Sequence, residues 1–437
     1  MVIFITPFVV SLSNHEPFDK LRANGKKYLF LALVSILPLL LQAQTLDDAF
    51  RNGKVSGALR TFWYDGERDL KVDRTALTVG GILSYQTAPF YGVQANASFF
   101  SSNGITSLTQ MPESGQTSNL KSDGSSINVL GEAALSYTYD DTLVKYGRQR
   151  LNTPLTNDYY NRMLPNSFEA LTLENRAIAD VTFKGAYITK WKYKDSDRFI
   201  SPTENYGFHR DIVMLGGVMK KAGSTHEVYD YYIPDVMNAL YFQSETPKFL
   251  SESSPFNISG AVQFLKEDGV GDELIKLSST YLIGTKIGLH YDAWSVTGLF
   301  TKIGDQSLAG TGGRYAKMGW GGFITYTDFQ IDGETENAGA LAYGAVVTHH
   351  FDKTLEASLK YLRINQSDVK QSATNSLTDN PRPDSNEYNL DATYQPTKQI
   401  RLRCRFAYID YIPDSTNLYQ TRAYDEFNTR IIADYLF

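Results

Sequence analysis

Arg401, Arg403 and Arg405, spaced two residues apart, are the side chains of this sequence best placed to do chemistry, and that chemistry is electrostatic. In an extended strand they share one face, while Leu402, Cys404 and Phe406 share the other. If the apolar face meets lipid, a column of guanidiniums projects into an enclosed interior. Turned toward lipid instead, each arginine at the midplane would cost about 2–4 kcal/mol. Fixed positive charges at close spacing attract anions and lower the barrier to their passage. The same parity gives a second set, Lys184, Lys190 and Lys192, and places Lys286, Lys360, Arg60 and Arg430 singly on inward faces. The competing reading is that these cations pair with inward carboxylates, among them Glu132, Glu356, Asp391 and Asp434, and only solvate the wall.

The elements that must hold such a column are strands of period two. Leu77, Val79, Gly81, Leu83 and Tyr85 alternate with polar or small residues, as do Val129, Gly131, Ala133, Leu135, Tyr137 and Tyr139, and later Leu355, Ala357, Leu359 and Tyr361. Aromatic residues gather at strand ends (Tyr85, Tyr139, Tyr361, Tyr394, Tyr408), where an interfacial girdle would sit. Short turns such as Asp140-Asp141-Thr142 and Gln395-Pro396-Thr397-Lys398 contrast with long polar stretches, Ser101 to Ser126 and Asn365 to Asn386. The chain ends inside an alternating segment, Ile431 to Phe437, which suits a last strand that must pair with the first and remove the open edge. At roughly 22 residues per strand and connection, the length predicts about 18 strands, near the porin range. The fold class expected is all-β, a closed antiparallel transmembrane β-barrel.

Composition agrees. The chain has 437 residues, with 29 Tyr, 24 Phe and one Cys. Its mean hydropathy of −0.30 is too low for a helical membrane protein of this length, whereas a barrel hides its apolar residues by alternation. The long apolar run Tyr28 to Leu41 follows Lys26 and Lys27 and precedes Leu41-Gln42-Ala43. This reads as a secretory signal over residues 1–43, with residues 1–25 attributed to a start placed too far upstream. Residues 44–437 then form one domain without a linker. Removing 1–43 takes away four basic and two acidic residues, so the net charge moves from −6 to −8, which disfavours nucleic acid as a partner. Cys404 alone builds neither a disulfide nor a thiolate metal site.

Little in the sequence is arranged for covalent chemistry. There is no G-x-S-x-G, P-loop or H-E-x-x-H. His349-His350 falls in a turn, and His290 with Asp292 reads as a wall pair. Asp328, Asp332, Glu334 and Glu336 form an acidic stretch able in principle to attract a hard cation, but its spacing matches no calcium motif. The expectation is a chain that is not an enzyme and carries no cofactor and no metal.

A more specific signal is Tyr146-Gly147-Arg148-Gln149-Arg150-Leu151-Asn152-Thr153-Pro154-Leu155, followed by Arg162-Met163-Leu164-Pro165-Asn166-Ser167-Phe168-Glu169-Ala170. This block resembles the OprD-type outer-membrane porins, and the opening Phe50 to Arg60 is similar to the first strand of one branch of that family. The resemblance implies an 18-stranded barrel narrowed by an inward-folded constriction loop and lined by a basic ladder, passing small carboxylates, basic amino acids or peptides. By position it puts Asn152 to Arg162 in or near the constriction, with Asp158 and Arg162 as eyelet charges, and counts Glu169 as a further residue of the constriction loop. Arg148 and Arg150 have the parity of Val144 and Tyr146, so simple alternation aims them at lipid, unless a bulge resets the register or the strand has ended. The terminal Tyr435 and Phe437 resemble the C-terminal signal read by the outer-membrane barrel assembly machinery. The function expected is passive diffusion of small polar or anionic solutes through a Gram-negative outer membrane, among its lipid and lipopolysaccharide. A barrel enzyme, such as a surface protease or lipase, and a closed structural or adhesive barrel are the alternatives. Monomer and homotrimer both stay open.

Overall fold

The computed structural model describes residues 45–437 except 70, 106–108, 110–112, 248–253, 276–278, 306–319, 323, 331–333, 367–382 and 413–424. The expected signal segment, 1–43, lies outside the described residues. A short helix, α1 (Leu46–Arg51), precedes the strands. These are β1 (Lys54–Arg68), β2 (Arg74–Gln86), β3 (Val93–Gly104), β4 (Ile127–Tyr139), β5 (Thr142–Gln149), β6 (Ser167–Asn175), β7 (Val181–Lys192), β8 (Ile212–Lys221) and β9 (Ser224–Ile233). They continue as β10 (Met237–Thr246), β11 (Phe256–Gly269), β12 (Thr280–Tyr291), β13 (Trp294–Ile303), β14 (Leu341–His350), β15 (Leu355–Asn365), β16 (Asp384–Tyr394), β17 (Ile400–Ile412) and β18 (Glu426–Leu436).

Each strand pairs antiparallel with its sequence neighbours, and β18 returns to β1 from Ala58↔Leu436 to Arg68↔Glu426. Phe437 extends this seam by exchanging backbone hydrogen bonds with Gly57. Eighteen antiparallel strands thus close on themselves and leave no edge.

The outer face is apolar because it must be. Leu59, Leu135, Tyr146, Leu215, Ile287 and Leu359 are all more than half exposed and all point outward. Such a surface belongs in hydrocarbon rather than in water. Among the described residues no helix is long and apolar enough to cross a membrane.

The two ends of the barrel differ. At the end where β1 begins and β18 ends the connections run from two residues (140–141) to nine (247–255). The other end carries 105–126, 150–166, 193–211, 304–340, 366–383 and 413–425, besides shorter links at 69–73, 234–236 and 270–279. Three of these long connections fold inward. Residues of 150–156 and Trp320 seal an apolar cluster against the inner faces of β6–β13, with Leu155, Phe168, Ile188, Tyr231 and Trp320 all buried. Met163 and Leu164 bury completely in a second cluster with Phe62, Tyr64 and Phe100, on the opposite wall. The connection between β5 and β6 therefore crosses the lumen, anchored by apolar contacts at each side. The interior is divided into an apolar half and a charged half.

Candidate functional site

The charged half is built on β15–β18 and β1. Strands β16, β17 and β18 pair without a register shift, so alternation carries through and Arg401, Arg403 and Arg405 all lie on the inward face. Register then selects their partners. Asp434 stands directly opposite both Arg401 and Arg60, and it accepts from Arg401 Nη2 at 2.6 Å and Arg60 Nε at 2.6 Å. Asp391 stands opposite Arg405. Its carboxylate takes Arg403 in a two-point contact at 2.8 and 2.5 Å, Arg405 Nε at 3.0 Å and Lys360 Nζ at 3.5 Å. Arg60 also lies 4.2 Å from the Tyr160 ring centroid.

Exposure falls along this column. Arg401 and Arg403 keep 37% and 39% of their side-chain surface open, Arg405 keeps 11%, and Arg430 is 1% exposed. The cause is the described part of the third inward connection, around residues 324–330. Gln330 lies over the upper rungs: its carbonyl accepts from Arg430 Nη2 at 2.5 Å, and its side-chain amide donates to the Asn428 side chain at 3.0 Å. Arg430 also donates from Nε to Asn428 Oδ1 at 2.9 Å.

The remaining cations are more scattered. Lys286 faces inward and meets Glu245 at 2.8 Å, with the Tyr326 ring 5.1 Å away. Lys184 lies half-buried on the inner face of β7. Lys192 is wholly buried, its ammonium on the carbonyls of Tyr193 and Ser196, and so does not front open lumen. Lys190 has to be corrected. Between Glu169 and Ala170 the pairing of β6 with β7 slips by one residue, with Glu169 opposite Lys190 but Ala170 opposite Ile188. Thr189 is the extra residue of a bulge, which reverses the parity beyond it. Phe168 and Ala170 are buried inward, so Glu169 and Lys190 between and opposite them point outside. Glu169 is accordingly a residue of β6 on the outer wall, not of the constriction loop.

Arg148 and Arg150 part company. Arg148 keeps strand parity and faces outward, 3.8 Å from Glu169. Arg150 follows the end of β5 and turns inward, 3.5 Å from Glu132 and 3.7 Å from Asp158. The inward carboxylates named from sequence do form pairs, Glu356 with His350 at 3.5 Å included.

At the crossing, Asp158 sits beside Arg150, and burial raises its carboxyl above the usual range despite that guanidinium. Arg162 is held with Nε on the Thr117 carbonyl at 3.0 Å and its own carbonyl accepting from Arg60 at 2.5 Å. Two side chains not singled out from sequence complete the narrowing. Lys194, on the connection 193–211, is buried against Tyr159 (4.3 Å to the centroid) and donates to Asn161 Oδ1 at 3.0 Å. Burial, then Arg162, drives its ammonium pKa well below the ordinary lysine value. Trp320 bonds to the 150–166 connection through its backbone (2.7 Å to Leu155 O) and to Pro202 O through its indole at 2.7 Å. It therefore joins all three inward connections. The signal for this was present in Gly319-Trp320-Gly321-Gly322: a Cβ at Gly322 would collide with the Tyr159 ring, so only glycine permits the approach.

Of the acidic stretch, Asp332 lies outside the described residues. Asp328 is fully buried, and burial together with Glu336 and Glu387 raises its carboxyl well above the usual range. Among the described residues no three His, Cys, Asp or Glu side chains converge to hold a metal ion.

Comparison with known proteins places this geometry. Residues 97–339 match the profile of the family described as outer membrane porin, OprD family. Among solved structures, Pseudomonas aeruginosa OccK9 (OpdG) superposes with a TM-score of 0.72 at 15% identity, over 89% of this chain and 99% of that one. Acinetobacter baumannii OccAB3 gives 0.70 at 15%, with the same coverages, and P. aeruginosa OpdK with vanillate gives 0.69 at 13%, again over 89% and 99%. No curated protein matches the sequence significantly. A barrel of eighteen strands with this inward architecture, matched by the family profile over more than half its length, is a passive channel for small solutes in the Gram-negative outer membrane, and the chain belongs to the OprD family of outer-membrane porins.

Proposed function

We propose that this porin prefers small organic anions, with carboxylates of modest size, aromatic ones included, as the favoured class. The observation that carries the reading is a mismatch of charge on one wall. Five cations, Arg60, Arg401, Arg403, Arg405 and Lys360, share two carboxylates, Asp391 and Asp434. Around these two carboxylates the excess is positive, with Glu356 beside His350 and Glu387 and Glu426 buried beyond Arg405, and its two most exposed members, Arg401 and Arg403, face the lumen toward the short-turn end. An anion crossing the narrowing beside Asp158, Lys194 and Trp320 would meet Arg403 and then Arg401 on its way out. Fixed guanidiniums recognise carboxylates in a planar two-point geometry. The vanillate named with OpdK, an aromatic carboxylate, supports the same class by kinship of fold.

In this reading Arg401, Arg403, Arg405, Arg60 and Lys360 guide the solute, Lys184 and Lys286 add to the field of the inner wall, and Asp158 with Arg162 shapes the crossing. Residues 1–43 act as a cleaved export signal, and Tyr435 and Phe437 present the final strand to the barrel assembly machinery. Crosslinking in isolated outer membranes distinguishes a single barrel from a homotrimer. The test of the transport reading is liposome swelling with solutes of matched size. Benzoate and small dicarboxylates should enter faster than benzylamine or a pentose, and equal rates for all three charge classes would overturn the preference.

A further inference from the structure

Outside the lumen, Arg148, Glu169 and Lys190 meet on the outer faces of β5, β6 and β7, near the long-loop end. Register sets Arg148 opposite Glu169 and Glu169 opposite Lys190. Lys190 Nζ lies 3.1 Å from Glu169 Oε1, and Arg148 Nε lies 3.8 Å from Oε2. Two cations thus share one carboxylate, and the next outward carboxylate, Asp211, is taken up by the Tyr187 hydroxyl. Three other outward cations at this end are each balanced singly: Lys266 by Asp268, Lys302 by Asp305 and Arg363 by Asp384.

The group is also held in shape. The Arg148 guanidinium carbon lies 4.3 Å from the Phe199 ring centroid, and Nη1 donates to Leu130 O at 3.3 Å. The bulge at Thr189 is what brings Lys190 to the outside. Immediately toward the middle of the membrane come the outward Tyr146, Leu171 and Tyr187, all exposed. The charges therefore stand at the edge of the apolar belt, where lipid headgroups lie. Lys190 and Arg148 keep 47% and 37% of their side-chain surface free.

We propose that this triad docks the phosphate of an outer-leaflet membrane lipid. Arg148 offers a planar donor pair, Lys190 a point charge, and Glu169 holds the two cations apart on either side of the phosphate. The inference rests on the barrel's place in the membrane and not on what passes through its lumen. A cation next to an anionic lipid surface contributes about fivefold in affinity, so the two together contribute roughly 30-fold.

The test uses the full barrel in nanodiscs, offered bis-phosphorylated lipid A or its dephosphorylated form, with retention read by native mass spectrometry. The wild type should retain the phosphorylated lipid preferentially. Arg148→Gln with Lys190→Gln should lose that preference by roughly 30-fold, while Glu169→Gln should strengthen it. Heat-modifiable gel mobility reports folding, and if the double variant does not fold, Lys190→Gln alone should lose about fivefold. Single-channel conductance and ion selectivity should stay unchanged, which separates this result from a failure of the anion-guiding reading. Equal retention of both lipids by the wild type, or undiminished retention by the folded variants, would overturn the proposal.

Discussion

Arg60 and Asp434 face each other across the seam where the last strand meets the first, with Nε and Oδ1 2.6 Å apart and both side chains buried. The same carboxylate holds Arg401 from the other side. One acidic group thus links the closure of the barrel to the first exposed rung of its charged wall. Removing one partner of a buried pair leaves an uncompensated charge and costs about 3–5 kcal/mol. Asp434→Asn should therefore lower the unfolding midpoint of the refolded barrel clearly, while Asp352→Asn, in an exposed turn, should not. Equal midpoints for both variants would show that the pair does not hold the seam.

Arg403 offers a direct reading of selectivity. It is among the most exposed of the column, and reversing it changes the wall by two charges. At about 7 Å in a water-like medium, two charges shift the energy of a passing monovalent anion by about 1.2 kcal/mol, close to tenfold in permeability. Arg403→Glu should move the zero-current potential under a potassium chloride gradient toward cation preference by about that ratio. Arg430→Gln, beneath Gln330, should move it far less. Unchanged selectivity in Arg403→Glu would refute the column as a guide for anions.

Asp328 makes stability depend on pH in a defined direction. Its carboxyl is raised well above the usual range by burial, Glu336 and Glu387. Between the ordinary carboxylate range and that raised value the folded chain binds more protons than the unfolded chain. This contribution is complete below the ordinary carboxylate range and falls as pH rises through the window. Asp328→Asn should flatten this slope and be the more stable protein at neutral pH. Denaturation midpoints at pH 5 and pH 7 check it; a slope retained in the variant would place its origin elsewhere.

What could be read from sequence follows from which forces are local. The alternation of β15–β18 is enforced by lipid on one face, so residue type reports direction, and Arg401, Arg403 and Arg405 could be assigned inward two residues at a time. Alternation alone assigns Lys190 inward as well. Its facing is decided by the backbone slip at Thr189, which no side chain there announces. Arg150 turns inward because β5 has ended one residue earlier, a boundary that hydrogen bonding sets more than composition does. The crossing by 150–166 was reached through resemblance alone. That 193–211 and 304–340 fold inward as well depends on long-range packing of Lys194 on Tyr159 and Trp320 on Pro202, and only the glycines around Trp320 hinted at it.

Leu164 tests how the narrowing is held. It is fully buried with Met163 among Phe62, Tyr64 and Phe100, at the far anchor of the 150–166 crossing. The other anchor, Leu155, is fixed by Trp320 and by the Tyr231 hydroxyl at 3.2 Å. Truncating a buried leucine to alanine costs about 2–5 kcal/mol, and here the cost falls on a connection rather than on the strand ladder. Leu164→Ala should leave the barrel folded, because its backbone hydrogen bonds are untouched, but free one end of the crossing. Single-channel records should then show larger and noisier conductance with weaker discrimination by solute size. Trp320→Ala, which releases the opposite anchor, should act in the same direction, and the double variant should fall short of the sum because either release already frees the crossing. A quiet wild-type conductance in both single variants would mean that the crossing is held by its polar contacts, Arg60 on Arg162 O and Asn166 on Asp158 O, rather than by its apolar anchors.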